Sequence, residues 1–287
     1  DDWKCPVCGA PKKYFMKRDE AEAPVEVPVG DVAGTIELDP RYVKIDNGPL
    51  DLIRQMSYTG RSPGDAMETR LPVPAFDDIL FLGAQLGTFP LADDAEVETG
   101  VVIGRKAKKP LLIDTPVFIS HMSFGALSAR AKTALAMGAT MAGTAMCSGE
   151  GGALPSEMKA SERYIFEYIP NKYSFTEDVL RNVDAIEIKI GQGTKPGMGG
   201  HLPGGKVTPA IAEMRGKPVG QDILSPSRWP EINSPEDLKT MVEMLRFRGG
   251  GVPIGVKIAA GHIEEDLEFI KDSGCDYITI DGRGGAT

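Results

Sequence analysis

The chain has 287 residues, of which 41% are hydrophobic and 25% are charged, as is usual for proteins that fold around a sizeable core. Its 41 Asp and Glu outnumber 32 Lys and Arg, a formal net charge of -9, so no basic excess is available for nucleic acid or an anionic membrane. No segment approaches the roughly 20 apolar residues of a spanning helix, and no signal pattern is present, so we expect a cytoplasmic protein.

The four cysteines indicate metal binding or buried thiols rather than a disulfide framework. Cys5 and Cys8 form a tight pair in the segment CPVCG, whereas Cys147 and Cys275 stand alone and are interpreted as small buried hydrophobic residues. Two thiolates at this spacing can bind one ion, with a second pair of ligands from elsewhere. The spacing alone leaves zinc, iron and the absence of a metal open.

The segment after this cysteine pair is predicted to be a linker that leads into a larger domain. Residues 17–34 are acidic and rich in Pro and Val, and separate a knuckle segment, residues 1–16, from a lead-in segment, residues 35–109. Within the lead-in, residues 50–57 predict a short amphipathic helix, and residues 79–86 are apolar.

From residue 110 onward, short apolar runs alternate with helical segments, the pattern of repeated βα units and a parallel sheet. The predicted strands cover residues 117–120, 144–147, 185–190, 253–258 and 277–280. The predicted helices cover residues 129–141 with Ser128 as N-cap, 235–247 with Ser234 as N-cap, and 263–272. Met137 and Met141, one turn apart in the first helix, are interpreted as core residues.

Gly-rich or polar loops follow four of the five predicted strands. They cover residues 123–125, 148–152, 191–193 and 281–285. Because the carboxyl ends of parallel strands face one side of a barrel, we expect these loops to meet there. That side is where the sequence predicts the functional site.

The start of the chain resembles the second half of a rubredoxin. The resemblance rests on DDWKCPVCGAPK, which has the Trp before the knuckle and the Lys after it. It implies that Cys5 and Cys8 are half of an iron site whose other knuckle lies upstream of Asp1.

Residues 110–287 resemble the FMN-binding, glutamate-forming domain of glutamate synthases, in particular the archaeal-type enzymes without a fused amidotransferase. The resembling blocks are TPVFISHMSFGALS, SGEGG, IEIKIGQGTKPGMGGHLPGGKV and GVKIAAGHIEEDL, with FDDILFLGAQLGTFPL as lead-in. The resemblance implies an α/β fold, a TIM-type (βα)8 barrel of which this chain holds the first part, truncated at both ends. It implies FMN as cofactor.

The resemblance assigns FMN contacts to Met122, Ser123, Gly125, Gln192 and Lys257. The first three lie in a predicted strand-to-helix turn, where backbone can approach a flat ring, although an ordinary βα turn would look the same. A polar side chain at the end of a buried strand needs a partner, and for Lys257 a salt bridge in the core is the alternative to a flavin contact.

Substrate contacts are assigned by the same resemblance to Glu150, Lys195 and Arg215. Two cations can hold a dicarboxylic acid and a carboxyl group can move protons, although on its own Arg215 would be a surface charge. His201 and Met198 stand where the family has Gln and Glu. His201 can hydrogen-bond and carry charge, so we count it among the catalytic candidates and leave open whether 2-oxoglutarate is the substrate.

The resemblance implies an oxidoreductase acting on CH-NH2 donors, which forms glutamate from 2-oxoglutarate and ammonia with electrons that reach FMN through the iron site. Expected partners are an electron donor and a separate amidotransferase subunit, and an iron-sulfur cluster is expected beyond residue 287. The alternatives are a related FMN enzyme, such as a methylamine-glutamate N-methyltransferase subunit, and a non-catalytic electron-transfer component.

Overall fold

A computed structural model describes residues 49–60, 76–193, 195 and 197–282. The chain divides into two compact units, Asp1–Pro63 and Gly64–Thr287. In the first unit the described residues form helix α1, Pro49–Thr59, which confirms the helix predicted there. None of the helices within these described ranges is both long and apolar enough to cross a membrane.

The second unit alternates strands and helices along the chain. In order, its elements are β1 (Val101–Ile103), β2 (Leu111–Ile113), α2 (Ala129–Met141), β3 (Met146–Cys147), α3 (Pro155–Ala160), β4 (Tyr164–Tyr168), α4 (Glu177–Arg181), β5 (Ala185–Lys189), β6 (His201–Leu202), α5 (Pro209–Arg215), β7 (Ile223–Leu224), α6 (Pro235–Arg248), β8 (Ile254–Ala259), α7 (Ile263–Ile270) and β9 (Tyr277–Asp281).

Five of these strands form one parallel sheet in the order β3-β4-β5-β8-β9. The pairs β1-β2 and β6-β7 are antiparallel. The strand predicted at residues 117–120 is reduced to a single parallel bridge between Ile119 and Met146 at the sheet edge. The architecture is therefore α/β with a parallel sheet, as the sequence predicts.

Strand β4 was not predicted, because its sequence YIFEY carries a glutamate and all five residues are buried. A strand buried on both faces shows no alternation of polar and apolar residues, which is the usual strand signal. In β4 the two faces instead differ in the polarity of their surroundings. The side chains of Phe166 and Tyr168 belong to the apolar core, whereas Glu167 between them faces charged residues of the neighbouring strands.

The main core lies between the sheet and the helices that cover it. Ile186, Ile188 and Val256 of the sheet pack with Leu238 and Leu245 of α6, all of them buried. A smaller apolar cluster on the opposite face joins the β1-β2 pair to the starts of the strands. Its members are Leu111, Ile113, Ala145, Cys147, Ile165 and Ala185.

Side-chain caps fix where two of the helices begin. Ser128 Oγ accepts a hydrogen bond from the backbone of Ala131 at the start of α2, and Ser234 Oγ accepts one from Asp237 in α6. Both caps were predicted. The assignment of Met137 and Met141 to the core is wrong, because both are exposed and α2 turns its alanine face to the sheet.

Candidate functional site

One face of the parallel sheet carries charged side chains in successive rows. Glu167 and Glu187 are register partners on β4 and β5, and Lys189 and Lys257 are register partners on β5 and β8. Side chains two residues apart on a strand share a face, so the carboxylate row and the ammonium row stack along the strands. The opposite charges of the two rows offset part of the free-energy cost of burying each row.

Lys189 and Glu150 form the central ion pair of this face. Lys189 Nζ donates to Glu150 Oε2 at 2.6 Å and to Gln192 Oε1 at 2.7 Å, and Ser225 Oγ donates to Glu150 Oε1 at 2.8 Å. Burial raises the pKa of Glu150, but Lys189, the Ser225 hydroxyl and Lys195 together lower it by more, so the pKa lies below its usual range. Glu150 is therefore a carboxylate that can accept a proton.

Lys189 was missed by the sequence reasoning. It ends a buried strand, IEIK, and the argument that drew attention to Lys257 at the same register applies to it equally. Burial lowers the pKa of Lys189, but Glu167 and Glu150 raise it by more, so the side chain stays charged. Its backbone is also held, because Trp229 Nε1 donates to the Lys189 carbonyl at 2.7 Å.

The charges of this ion pair influence the pKa of Lys195. Burial and the neighbouring Lys189 lower the pKa of Lys195, and Glu150 opposes them in part. A half-buried ammonium with a lowered pKa can release a proton more readily than a surface lysine. The structure thus brings the predicted Glu150 and Lys195 together and adds Lys189 to them.

Arg215 ends helix α5 beside the turn after residue 122, so it is not a surface charge. Its Nη2 donates to the carbonyl of Phe124 at 2.8 Å, and its guanidinium carbon lies 5.4 Å from the ring centroid of Tyr173. Burial raises the pKa of Tyr173, the Arg215 charge lowers it in part, and the Glu150 charge adds to the rise. The predicted Arg215 and the predicted turn at Met122, Ser123 and Gly125 therefore lie together.

The turn at residues 122–125 and the loop at residues 148–152 pack backbone against backbone. A Cβ atom on Gly149, whose φ is 67°, would lie 2.6 Å from the Met122 carbonyl carbon. A Cβ atom on Gly151 would lie 2.4 Å from the Phe124 nitrogen. Only glycine permits such an approach, and the result is a surface of main-chain groups at the carboxyl ends of the strands.

A fully buried lysine of α2 holds the same two loops. Lys132 Nζ donates to the carbonyls of Met122 at 2.5 Å and Ser148 at 2.8 Å, and it lies 3.0 Å from Glu157 Oε1. Burial raises the pKa of Glu157, and Lys132 opposes this shift. Nothing in the Ala-rich sequence of α2 distinguishes Lys132 from a surface lysine, so sequence reasoning missed it.

Lys257 is buried in the ammonium row, 3.7 Å from Asp281 Oδ2 and 3.9 Å from Glu167 Oε1. Both distances exceed a good hydrogen bond. Asp281 Oδ2 also accepts from the Gly193 backbone at 2.9 Å, which ties the loop of Gln192 to the last strand of the sheet. The structure therefore places Gln192 and Lys257 at the same end of neighbouring strands, near Lys189.

His201 lies on the short β6-β7 pair, where its imidazole is about half exposed. Its Nε2 lies 2.7 Å from Asp222 Oδ2, so the ring faces Asp222 rather than Glu150. The backbone beside it does reach the site, since Ser225 donates to the Gly200 carbonyl at 2.8 Å and its hydroxyl binds Glu150. The predicted metal ligands Cys5 and Cys8 lie outside the described residues.

Comparison with known proteins identifies the family. The family profile described as the conserved region in glutamate synthase matches residues 68–287. A glutamate synthase large subunit-like protein of Rhizobium meliloti (strain 1021) is 39% identical over 245 residues, which is 84% of this chain and 55% of the relative.

Two further relatives agree. An archaeal-type glutamate synthase [NADPH] of Thermotoga neapolitana is 38% identical over 72% of this chain and 41% of its own length. An archaeal glutamate synthase [NADPH] of Methanocaldococcus jannaschii is 38% identical over 72% of this chain and 42% of its own. The chain thus spans about half the length of the curated relatives it matches.

A crystal structure of a mandelate oxidase variant overlaps 66% of this chain and 53% of its own, with a TM-score of 0.39 and 16% identity. The profile match alone covers residues 68–287, most of the sequence. The chain belongs to the glutamate synthase family.

Proposed function

We propose that this chain carries the amination site of an FMN-dependent, glutamate synthase-like oxidoreductase, which converts 2-oxoglutarate and ammonia into glutamate. The observation that carries the proposal is the partly buried Glu150-Lys189 ion pair, held 2.6 Å apart at the carboxyl ends of the parallel strands in a member of this family. Lys195, which interacts electrostatically with both members of the pair, and Arg215 add further positive charge.

The cations suit a substrate with two carboxylates. The Arg215 guanidinium offers a planar set of donors that matches a carboxylate, and Lys195 offers a second ammonium. Lys189 neutralises Glu150 in part, so an anionic substrate can approach the carboxylate. The same arrangement would repel a cationic substrate. A small 2-oxo diacid therefore fits the site better than a neutral molecule of equal size.

Glu150 is suited to proton transfer during imine formation. Ammonia adds to the ketone carbon, and Glu150 moves two protons in turn from the nitrogen to the ketone oxygen: the first gives the hydroxyl group, and the second lets it leave as water. Atoms balance: the oxo acid and ammonia give an imine and one water. The lowered pKa of Glu150 keeps it ready to accept the first proton at neutral pH.

The residues at the strand ends fit FMN. The main-chain surface formed where Gly149 and Gly151 meet the turn at residues 122–125 suits close contact with a flat ring, and Met122, Ser123 and Gly125 would line it. Gln192 would supply a hydrogen bond, and the buried Lys257 would supply positive charge. When bound and reduced, FMN supplies the hydride that turns the imine carbon into that of an amino acid.

We propose further that electrons enter through a rubredoxin-type iron site that includes Cys5 and Cys8. The support is the sequence of the knuckle and its place in the same chain as the family domain. A Cys5→Ser/Cys8→Ser variant is expected to retain FMN but lose reduction by the physiological donor, while reduction by dithionite persists. Equal rates of donor-driven reduction in both proteins would contradict this route.

Glutamate formation by the FMN-loaded, chemically reduced protein tests the main proposal. Glu150→Gln keeps the size of the side chain but removes the proton acceptor, so kcat is expected to fall by about 10²–10⁴-fold. Binding of 2-oxoglutarate, measured by calorimetry, should change far less than kcat. The matched control is Glu243→Gln on the exposed side of α6, which should leave kcat unchanged.

Failure of the unsubstituted reduced protein to be reoxidised by 2-oxoglutarate and ammonia would contradict glutamate formation. If the same protein instead produces N-methylglutamate from glutamate and methylamine, the related N-methyltransferase function applies. His201 and Met198, which differ from the family pattern, are the residues to exchange in that event.

A further inference from the structure

A second cluster of titratable groups lies on the same sheet face, next to the Glu150-Lys189 pair. It consists of His121, Cys147 and Glu167, whose candidate ligand atoms all lie within 4.8 Å of one another. The three residues come from neighbouring segments: His121 follows the bridge at Ile119, Cys147 ends β3, and Glu167 lies in β4. Glu187 of β5 is the next neighbour, in ion-pair contact with His121.

The cluster is almost completely shielded from solvent. Cys147 is 0% exposed, Glu167 is 2% exposed and Glu187 is 0% exposed. His121 Nε2 and Glu187 Oε1 contact each other, whereas both carboxylate oxygens of Glu167 have no hydrogen-bond partner among the described residues. An unsatisfied buried carboxylate is costly, so the two Glu167 oxygens point to a missing binding partner.

The nearby lysines do not supply the missing hydrogen bonds to the Glu167 carboxylate. Lys189 Nζ lies 3.6 Å from Glu167 Oε1, and Lys257 Nζ lies 3.9 Å from the same atom. Lys189 is already hydrogen-bonded to Glu150 and Gln192. The lysines therefore balance part of the charge without satisfying the carboxylate.

We propose that His121, Cys147 and Glu167 bind a divalent transition-metal ion of the zinc type. A thiolate together with an imidazole favours zinc, cobalt or iron over magnesium and calcium, which prefer oxygen ligands. His121 can bind through one ring nitrogen while Glu187 orients the ring, as carboxylates do beside histidine ligands. On binding, the thiol proton of Cys147 is released to solvent and a sulfur-metal bond forms.

This ion would connect three neighbouring segments: residues 119–121, β3 and β4. Cys147 also belongs to the apolar cluster beside the β1-β2 pair, so the ion would join that cluster to the charged rows. Cys147 is buried in that cluster as the sequence predicts, and the proposal gives its thiol an additional role. The test of the proposal does not depend on the amination chemistry, because metal binding is measured directly and none of the three ligands is proposed to contact the substrate.

Cobalt binding to a chain with a single cysteine tests the proposal directly. The sequence has four cysteines, so Cys5→Ser, Cys8→Ser and Cys275→Ser together leave Cys147 alone and also remove the N-terminal knuckle. The full chain with these three substitutions, freed of metal, is titrated with Co²⁺. We expect one equivalent to bind and a thiolate-to-cobalt charge-transfer band to appear in the difference spectrum against metal-free protein, which cancels any flavin absorbance.

Two further variants separate ligation from incidental binding. Adding Cys147→Ser should abolish the band, and Glu167→Gln in the three-serine background should weaken Co²⁺ binding by about 10-fold or more. Glu268→Gln, on the exposed side of α7, is the matched control and should bind like the parent. Far-ultraviolet circular dichroism verifies that each variant is folded.

The absence of a charge-transfer band in the folded chain whose only cysteine is Cys147 would overturn the proposal. Persistence of the band after Cys147→Ser would overturn it as well. Because the first measurement leaves all three proposed ligands intact, it remains decisive even if Cys147→Ser fails to fold.

Discussion

Lys189 and Glu150 determine each other's charge. Lys189 is the largest influence that lowers the pKa of Glu150, and it acts against burial, which raises it. Glu150 in turn is among the groups that raise the pKa of Lys189. Neither residue can be replaced without changing the protonation of the other. At the scale of single residues, this mutual dependence is what the proposed chemistry rests on.

Lys189→Met should therefore change the pH dependence of catalysis. Without the ammonium, burial dominates and the pKa of Glu150 rises. If Glu150 must be ionised to accept a proton, the acidic limb of the kcat profile moves to higher pH. The profile of the FMN-loaded, chemically reduced enzyme gives the measurement. Lys239→Met on the exposed part of α6 is the control, and an acidic limb that stays in place in Lys189→Met would show that Glu150 is not the titrating group.

Helix α2 covers the sheet and also positions two loops of the proposed site. Through Lys132 it holds the carbonyls of Met122 and Ser148, which belong to two different loops. The helix position is itself fixed by the Ser128 cap. At the scale of elements, the buried Lys132 ammonium thus fixes helix α2 to both loops that would contact the flavin.

Lys132→Met is expected to lower the free energy of unfolding by about 3–5 kcal/mol, because it leaves Glu157 buried without its counter-charge. Adding Glu157→Gln should restore part of that loss, since the lone charge is removed. Chemical denaturation of the three proteins gives the values. Lys159→Met, an exposed position on α3, should change stability by no more than about 0.5 kcal/mol. A double variant no more stable than Lys132→Met would contradict a role for the ion pair.

At the scale of the whole molecule, stability is concentrated in the sheet and its covering helices. Phe166 of β4 is 0% exposed and lies in the main core. Phe81, in the apolar stretch of the lead-in, is 101% exposed. One phenylalanine is therefore fully buried and the other fully exposed. Replacing each by alanine should change the free energy of unfolding by very different amounts, because only Phe166 contributes buried apolar surface.

Phe166→Ala should cost about 3–5 kcal/mol of unfolding free energy, through lost burial and the cavity it leaves. Phe81→Ala should stay within about 0.5 kcal/mol of the parent chain, since no contact is lost. Urea unfolding of both variants under the same conditions measures the difference. A large loss of stability in Phe81→Ala would mean that the lead-in is packed in solution.

How much the sequence predicts depends on whether a signal is local. The starts of α2 and α6 were predicted from Ser128 and Ser234, since a cap acts within one turn. Strand β4 was not predicted, because all five of its residues are buried and its sequence therefore shows no alternation of polar and apolar residues. Lys132 and Arg215 have partners about 10 to 91 residues away along the chain, which no local pattern contains. For Arg215 the family resemblance supplied what local patterns could not.

The stacked rows of charge have a consequence for how this sheet assembles. Shifting β5 by one residue against β4 would turn Glu187 and Lys189 toward the helix-covered side and bring isoleucines to the charged side. Such a misregistered intermediate would bury two charges without partners and lose the pairing with Glu150. The ion pairs that define the site would thus also act during folding, by making the correct strand alignment much lower in free energy than its neighbours.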